Sequence, residues 1–380
     1  MDLMLNDTQE MIRDGARRFL ADSLDADTVR EVEASADGVN AEIWAQMAEL
    51  GWTALALPTD IGGGGAGLAD LCVLAEELGR AAASTPLVGT AGFAATFLAA
   101  AEPTTATRDM LSTLAASGAV ITPALIDAVG RDERSASSSV LSETDAGATI
   151  SGAKAMVPYA SAAQVLLVSL TTPDGESAVV AVHRDTPGVR WTRHGATGGD
   201  PLFHVEFDNV GVPADSVLAR GRAAERAIDA GLDAATVLAT AEAVGCCEGM
   251  IRLASEHASS RQQFGKVIGS YQAVSHRLAD MRINTDACRL LVAETAWMLD
   301  QGRDATLEVA GTKVFANEVM VDMIHAAHTV HGAIGYTTEY DLQLYTRRAR
   351  AFCLSHGDTD VQTERAAVAL GLEPRRPGHA

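Results

Sequence analysis

The apolar positions fall into three regimes along the chain. Met11, Ile12, Ala16, Phe19 and Leu20 recur at helical spacing, and Asp7 followed by Glu10 reads as a capping box opening this first helix. A second helix is expected from about Ala41 to Leu50, with Trp44 and Met47 inward and Gly51 ending it. A third covers Asp70–Arg80, and helices continue to about Ser117, with Pro86 and Pro103 at their ends. Near Ala119 the period shortens. Residues 120–125, 139–141, 148–152, 164–170, 177–183 and 203–207 are short runs with many β-branched residues, separated by turn signals such as Pro173-Asp174-Gly175 and Asp208-Asn209. From Gly221 the helical period returns, and helices are expected near 222–259, 270–300, 304–331 and 338–355, with a short last one to about 370. The fold class is therefore α+β: an N-terminal helical domain over 1–118, a β-domain over 119–220 and a C-terminal helical bundle over 221–380.

Residues 256–282 organise the rest. A helical run ends in polar residues near Ser259, and a loop holding Arg261, Phe264 and Gly265 follows. A second helix starts near Ser270 and keeps Val274, Leu278, Met281, Cys288 and Val292 on one face. Arg261 thus lies on the connection between two core helices. A guanidinium there can hold a pyrophosphate through two parallel hydrogen bonds. Phe264 offers a flat apolar surface, and Gln272 an amide suited to a base edge. The opposing interpretation is a surface Arg and a core Phe on an ordinary helix–loop–helix.

A formal charge of −21 argues against a general nucleic-acid binder, which needs a basic face. It does not exclude a polyanionic cofactor held by a few local arginines. The five cysteines, Cys72, Cys246, Cys247, Cys288 and Cys353, fit no metal spacing and lie mostly in apolar helical contexts, as reduced core thiols do. The acidic N-terminus lacks the basic and apolar regions of a signal peptide, and no apolar run is expected to cross a bilayer, so the expectation is a cytoplasmic protein without membrane insertion. Gly62, Gly64 and Gly67 satisfy G-x-G-x-x-G, but Pro58 and Asp60 interrupt any leading strand and no βαβ unit surrounds them. They read as a turn. His325, His328 and His331 are spaced i, i+3, i+6, so the outer pair diverges by about 120° around a helix, and no metal is assigned. Arg347, Arg348 and Arg350 read as a solvated helix face or a subunit contact.

Arg261, Phe264, Gly265, Ile268, Gln272, His276, Leu278, Ala279, Asp280 and Met281 together resemble the Arg-x-x-Phe-Gly…Ile…Gln-x-x-x-His-x-Leu-Ala-Asp-Met pattern of the acyl-CoA dehydrogenase family. The Glu76-Glu77-Leu78-Gly79-Arg80 helix after its glycine turn, Val210-Gly-Val-Pro213 and the segment 325–345 are similar to the family too, as is the helical, β, helical order. The resemblance implies FAD, with Arg261 and Phe264 contacting the flavin nucleotide of a neighbouring subunit, Gln272 near its adenine end, and His331 and Gly332 near its adenosine. It implies an acyl-CoA substrate, a dimer or tetramer with a second dehydrogenase-like chain or with itself, and an electron-transfer acceptor.

The family's chemistry needs a carboxylate to take the α-proton. In the Tyr-Glu-Gly-Thr segment that usually supplies it, His356 stands in the Glu position; at the other known base position stands Ala235, followed by Thr236 where an Arg is common. The flavin-covering Trp and Thr are replaced by Met156 and Pro158. Three readings stay open: a base-lacking subunit of a heteromeric enzyme, of the branch acting on bulky or steroid side-chain acyl-CoAs; a homomeric enzyme using His356 or Asp358 as base; and a structural or CoA-binding relative without useful flavin.

Overall fold

A computed structural model describes residues 4–127, 132–144 and 147–372. The chain forms two compact units, one made of Asp27–Gly67 and Ser84–Ala235, the other of Met1–Ala26, Leu68–Ala83 and Thr236–Ala380.

The first unit holds the sheet. Its strands are β1 (Ile121–Ala124), β2 (Val140–Thr144), β3 (Gly147–Pro158), β4 (Val165–Thr171), β5 (Ser177–His183), β6 (Val189–His194), β7 (Leu202–Val212) and β8 (Val217–Arg220), in the order β6-β7-β3-β2-β4-β5-β8, with β1 parallel to β4. β4 is buried at every position but its last, as its unbroken apolar run suggests. β6 was not expected, because Arg190 to His194 are all exposed and an edge strand of this kind has no apolar alternation to read. Of the helices in this unit, α3 (Ala41–Glu49) is capped by Asn40, and its Trp44 indole donates to the Gly118 carbonyl at 2.8 Å. α2 (Ala26–Ala34), also unexpected, buries only Val29 and Val32. Between Pro86 and α5 (Ala95–Ala100) the chain runs as a π-helix, Val88–Ala94, whose Thr90 hydroxyl bonds the Ile121 carbonyl of β1. Phe93 and Phe97 stack at 5.9 Å in a core that also takes Leu111 and Leu114 of α6 (Thr105–Ser117), Ile121, Leu167, Val179 and Leu232.

The second unit is the helical bundle: α1 (Asp7–Ser23), α4 (Leu68–Arg80), most of α7 (Gly221–Ser260), α8 (Gln272–Asp300), α9 (Thr306–His331), α10 (Leu342–Phe352) and α11 (Thr359–Ala369). The capping box of α1 is formed by Asn6 and Gln9, one residue earlier than Asp7 and Glu10, because the Asn6 side chain reaches the Gln9 amide and the Gln9 side chain reaches back. α4 is capped from a distance: Asp300 accepts from the Leu68 and Ala69 amides at 2.7 and 3.0 Å. α4 and α7 touch backbone to backbone, since a Cβ on Gly79 would lie 1.9 Å from the Glu242 oxygen and one on Gly245 1.9 Å from that of Glu76. Arg348 is buried and turned toward the Ala83 carbonyl, so it belongs to neither a solvated face nor a subunit contact. All five cysteines are buried free thiols. Contrary to the expectation that no run could span a bilayer, α7 is long and apolar enough by composition. Burial of 83% of its most apolar window makes it a core helix.

Candidate active site

α7 ends at Ser260 and the chain at once forms a minimal hairpin of β9 (Gln262–Gln263) and β10 (Lys266–Val267). Its two central residues, Phe264 and Gly265, have φ of +53° and +84°, the left-handed pair that a two-residue hairpin turn requires. Glycine meets that demand freely; phenylalanine is strained there. Tyr271 braces the turn. Its hydroxyl points at the Gln263 and Phe264 carbonyls at 3.2 and 3.3 Å, and the Lys266 ammonium sits 4.2 Å from its ring centre. Phe264 touches that ring only edge-on, and 92% of the residue is exposed. The interpretation of Phe264 as a core residue is therefore wrong. The hairpin presents a strained aromatic ring to the outside on a braced support.

Arg261 precedes the hairpin, and its side chain is exposed. Gln272 is the first residue of α8 and is exposed as well. His331 closes α9 and is buried. Its Nδ1 pairs with the Ala327 carbonyl at 2.8 Å, and its Nε2 is buried without a hydrogen-bond partner. The His331 ring packs 4.8 Å from that of His257 in the last turn of α7, so the structure brings His331 to the root of the Arg261 hairpin. Gly332 follows with φ +67° and ψ −143°, a conformation open in practice only to glycine, although a Cβ there would meet nothing within 4 Å. Backbone conformation, not crowding, demands the glycine. Sequence reasoning missed His257; a histidine four residues before Arg261 was the available signal.

His356 stands in the turn between α10 and α11. It too is left-handed, at φ +54°, and its carbonyl accepts from Gln362 Nε2 at 2.7 Å. Asp358 caps α11 by accepting from the Val361 amide at 2.9 Å, which occupies the carboxylate proposed as an alternative base. Ala235 and Thr236 are buried at 1% exposure each and offer a methyl and a hydroxyl. Asp233, two residues earlier and unremarked in the sequence, is buried, and its carboxylate is held by Arg134 Nη2 at 2.7 Å. Neither family base position holds a proton-accepting carboxylate.

On β3, Met156 occupies a register shift against β7, with φ +53° and half its surface exposed. Two residues before it Lys154 is fully buried, with Nζ 2.5 Å from Asp127 Oδ1, 2.8 Å from Ser137 Oγ and 3.0 Å from the Leu125 carbonyl. Burial pushes the Lys154 ammonium below its ordinary value, against the pull of Asp127. Burial would raise Asp127, but the hydrogen bonds from Lys154 and the Ser138 amide bring its carboxyl below the usual range. This pair fixes the strand on which Met156 and Pro158 stand. Tyr159, left-handed at the end of β3, is held in a buried polar group in which its hydroxyl donates to Asp200 at 2.7 Å beside Ser84.

Comparison with known proteins agrees with this geometry. The family model for the acyl-CoA dehydrogenase N-terminal domain matches residues 6–118, and that for the C-terminal domain matches residues 225–371. The Bacillus subtilis protein named "Probable acyl-CoA dehydrogenase YngJ" is 28% identical over 388 aligned positions, covering 95% of this chain and 97% of that protein. Among solved structures, a variant of the Tcur3481-Tcur3483 steroid ACAD is 29% identical with a TM-score of 0.86, over 96% of this chain and 98% of that one. The ChsE4-ChsE5 complex from Mycobacterium tuberculosis is 25% identical with a TM-score of 0.87, over the full length of both chains. The chain belongs to the acyl-CoA dehydrogenase family, FAD-dependent oxidoreductases that act on acyl-CoA thioesters.

Proposed function

We propose that this chain is the base-lacking subunit of a hetero-oligomeric, cytoplasmic acyl-CoA dehydrogenase, and that it lends its hairpin to an FAD shared with a second dehydrogenase-like chain. The observation that carries this reading is Phe264. A strained, braced and almost fully exposed aromatic ring makes only an edge contact with Tyr271 in its own unit, and its face is buried only when another molecule covers it. Both solved relatives named above carry paired names, and the second is described as a complex.

The residues fit the nucleotide half of FAD. Arg261 would hold the pyrophosphate with its exposed guanidinium, Phe264 would cover an apolar face, and Gln272 would pair with the adenine edge. His331 and the Gly332 peptide, at the root of the hairpin, would stand on the adenosine side. When bound, FAD would supply the acceptor for the hydride that leaves the β-carbon, and its turnover would call for an electron-transfer acceptor. This chain brings no carboxylate for the α-proton at position 235 or 356, so the partner supplies it. Met156 and Pro158 give the β-domain an apolar surface without the hydroxyl of the usual Thr.

The test is to purify the chain alone and together with a dehydrogenase-like chain that carries the Glu, and to record the visible flavin band of each. Little flavin in the chain alone and a full complement in the complex is expected, with a loss on Arg261→Ala in this chain and no change in turnover on His356→Ala. A chain that alone keeps flavin and oxidises an acyl-CoA in a His356-dependent way overturns the proposal in favour of a homomeric enzyme.

A further inference from the structure

The last turns of α7 and α9 meet where His257 packs on His331, and three further rings stand on α9 and the segment after it. His331 lies 4.8 Å from His257 and 5.1 Å from Tyr340, while His328 stacks on Tyr336 at 4.1 Å with 15° between planes. The Ala327 carbonyl can only accept, so the proton of neutral His331 is on Nδ1 and Nε2 carries a bare lone pair. That Nε2, like Nδ1 of His328, is buried without a hydrogen-bond partner. Protonating His328 would place a charge in a packed site that offers its Nδ1 no hydrogen-bond partner.

The surroundings offer little compensation. On α7 the neighbouring charged or titratable groups are Arg252, Glu256 and Arg261; on α9 there is His325; on the segment after α9 there are Asp341 and the neutral Tyr336 and Tyr340. Glu256 is engaged by Arg252, 3.2 Å from each carboxylate oxygen. Among the described residues, none of the three imidazoles is ion-paired with a carboxylate.

We propose that His257 and His328, on either side of His331, form a proton-sensitive latch at the root of the hairpin. Neutral, His257 packs on His331 and holds the end of α7 against the end of α9, while His328 holds Tyr336 of the segment that follows α9. Protonated, His257 carries a charge beside Arg261 and His328 one beside His325, and the joint that supports Arg261 and Phe264 loosens. Burial, and then the neighbouring His331, hold both His257 and His328 below the ordinary 6.5, with Arg261 adding to the effect on His257 and His325 to that on His328. A histidine depressed in the folded state contributes stability that is fully present above its unfolded value and is lost as pH falls through its folded value. The latch is therefore closed at neutral pH and opens on acidification. Its effect on flavin rests on the reading of Arg261 and Phe264 proposed above.

Hydrogen exchange by mass spectrometry on the full chain, corrected for the intrinsic pH dependence, tests the latch. Between about pH 7.5 and about pH 5.5, peptides covering 250–271 and 322–341 should lose about tenfold in protection, while those of α4 and mid-α8 hold. The double substitution His257→Phe with His328→Phe keeps rings in place and removes two titrating groups, so the loss should vanish. His257→Gln alone, uncharged at either pH, should reduce it. An equal loss throughout the bundle, no loss in the wild type, or an undiminished loss in either variant overturns the latch. Flavin absorbance of the complex followed over the same pH range separates the two claims: a latch that opens while flavin stays bound leaves the latch standing and removes the hairpin from the cofactor.

Discussion

Replacing Phe264 by Gly should leave the isolated chain as stable as before and cripple the assembled enzyme. Full burial of a Phe is worth about 2–3 kcal/mol, but with 92% of this residue exposed only a few tenths are at stake. The edge contact with Tyr271, at 6.4 Å between ring centres, adds a similarly small amount. Against these losses, a non-glycine residue in the left-handed region carries a strain of about 1–2 kcal/mol, which Gly relieves at φ +53°. The greater freedom of Gly in the unfolded chain takes back about 0.5–1 kcal/mol. The sum lies within about 1 kcal/mol of zero. If the ring is covered in the complex, its removal there costs about 2 kcal/mol or more, a loss of roughly thirtyfold in affinity. Urea unfolding of the isolated chain and flavin titration of the complex measure the two sides. A drop of more than about 1.5 kcal/mol in the isolated chain, with flavin and partner binding intact, would refute the reasoning, because it would mean that Phe264 serves its own unit.

Other consequences are equally direct. Lys154→Met strands the buried Asp127 carboxylate and should cost about 3–5 kcal/mol in denaturant unfolding, whereas Lys154→Met combined with Asp127→Leu should cost clearly less. Because the folded Asp127 carboxyl is depressed below its ordinary 3.8, its contribution is complete above that value and fades as pH falls through the folded one; Asp127→Asn should flatten the fall of the urea midpoint in that acid range. Gly245→Ala should destabilise by about 2–3 kcal/mol or prevent folding, since its methyl would meet the Glu76 carbonyl and backbone cannot step aside as a side chain can. Asp300→Ala should cost about 1 kcal/mol through the lost cap of α4, read in the same unfolding assay.

The sequence by itself determined whatever depends on near neighbours. The period of α8, the unbroken apolar run of β4, the glycine stop after α3 and the position of Arg261 between two long helices were all legible, because a turn of helix or a pleat is decided within a few residues; the lack of a carboxylate at 235 and 356 was legible only through the resemblance to the family. Beyond that range local pattern loses its hold. The hairpin at 262–267 has strands of two residues, too short for any alternation to show, and Tyr271 braces it from just beyond the second strand. β6 is a strand only because β7 pairs with it, and the π-helix at 88–94 packs with its Thr90 bonded to β1. The cap of α4 comes from Asp300, 232 residues from Leu68 in sequence, and His257 meets His331 only once α7 and α9 have packed. Tertiary structure alone decided the long-range contacts among these, because they depend on groups that burial of the apolar faces brings together from distant parts of the chain.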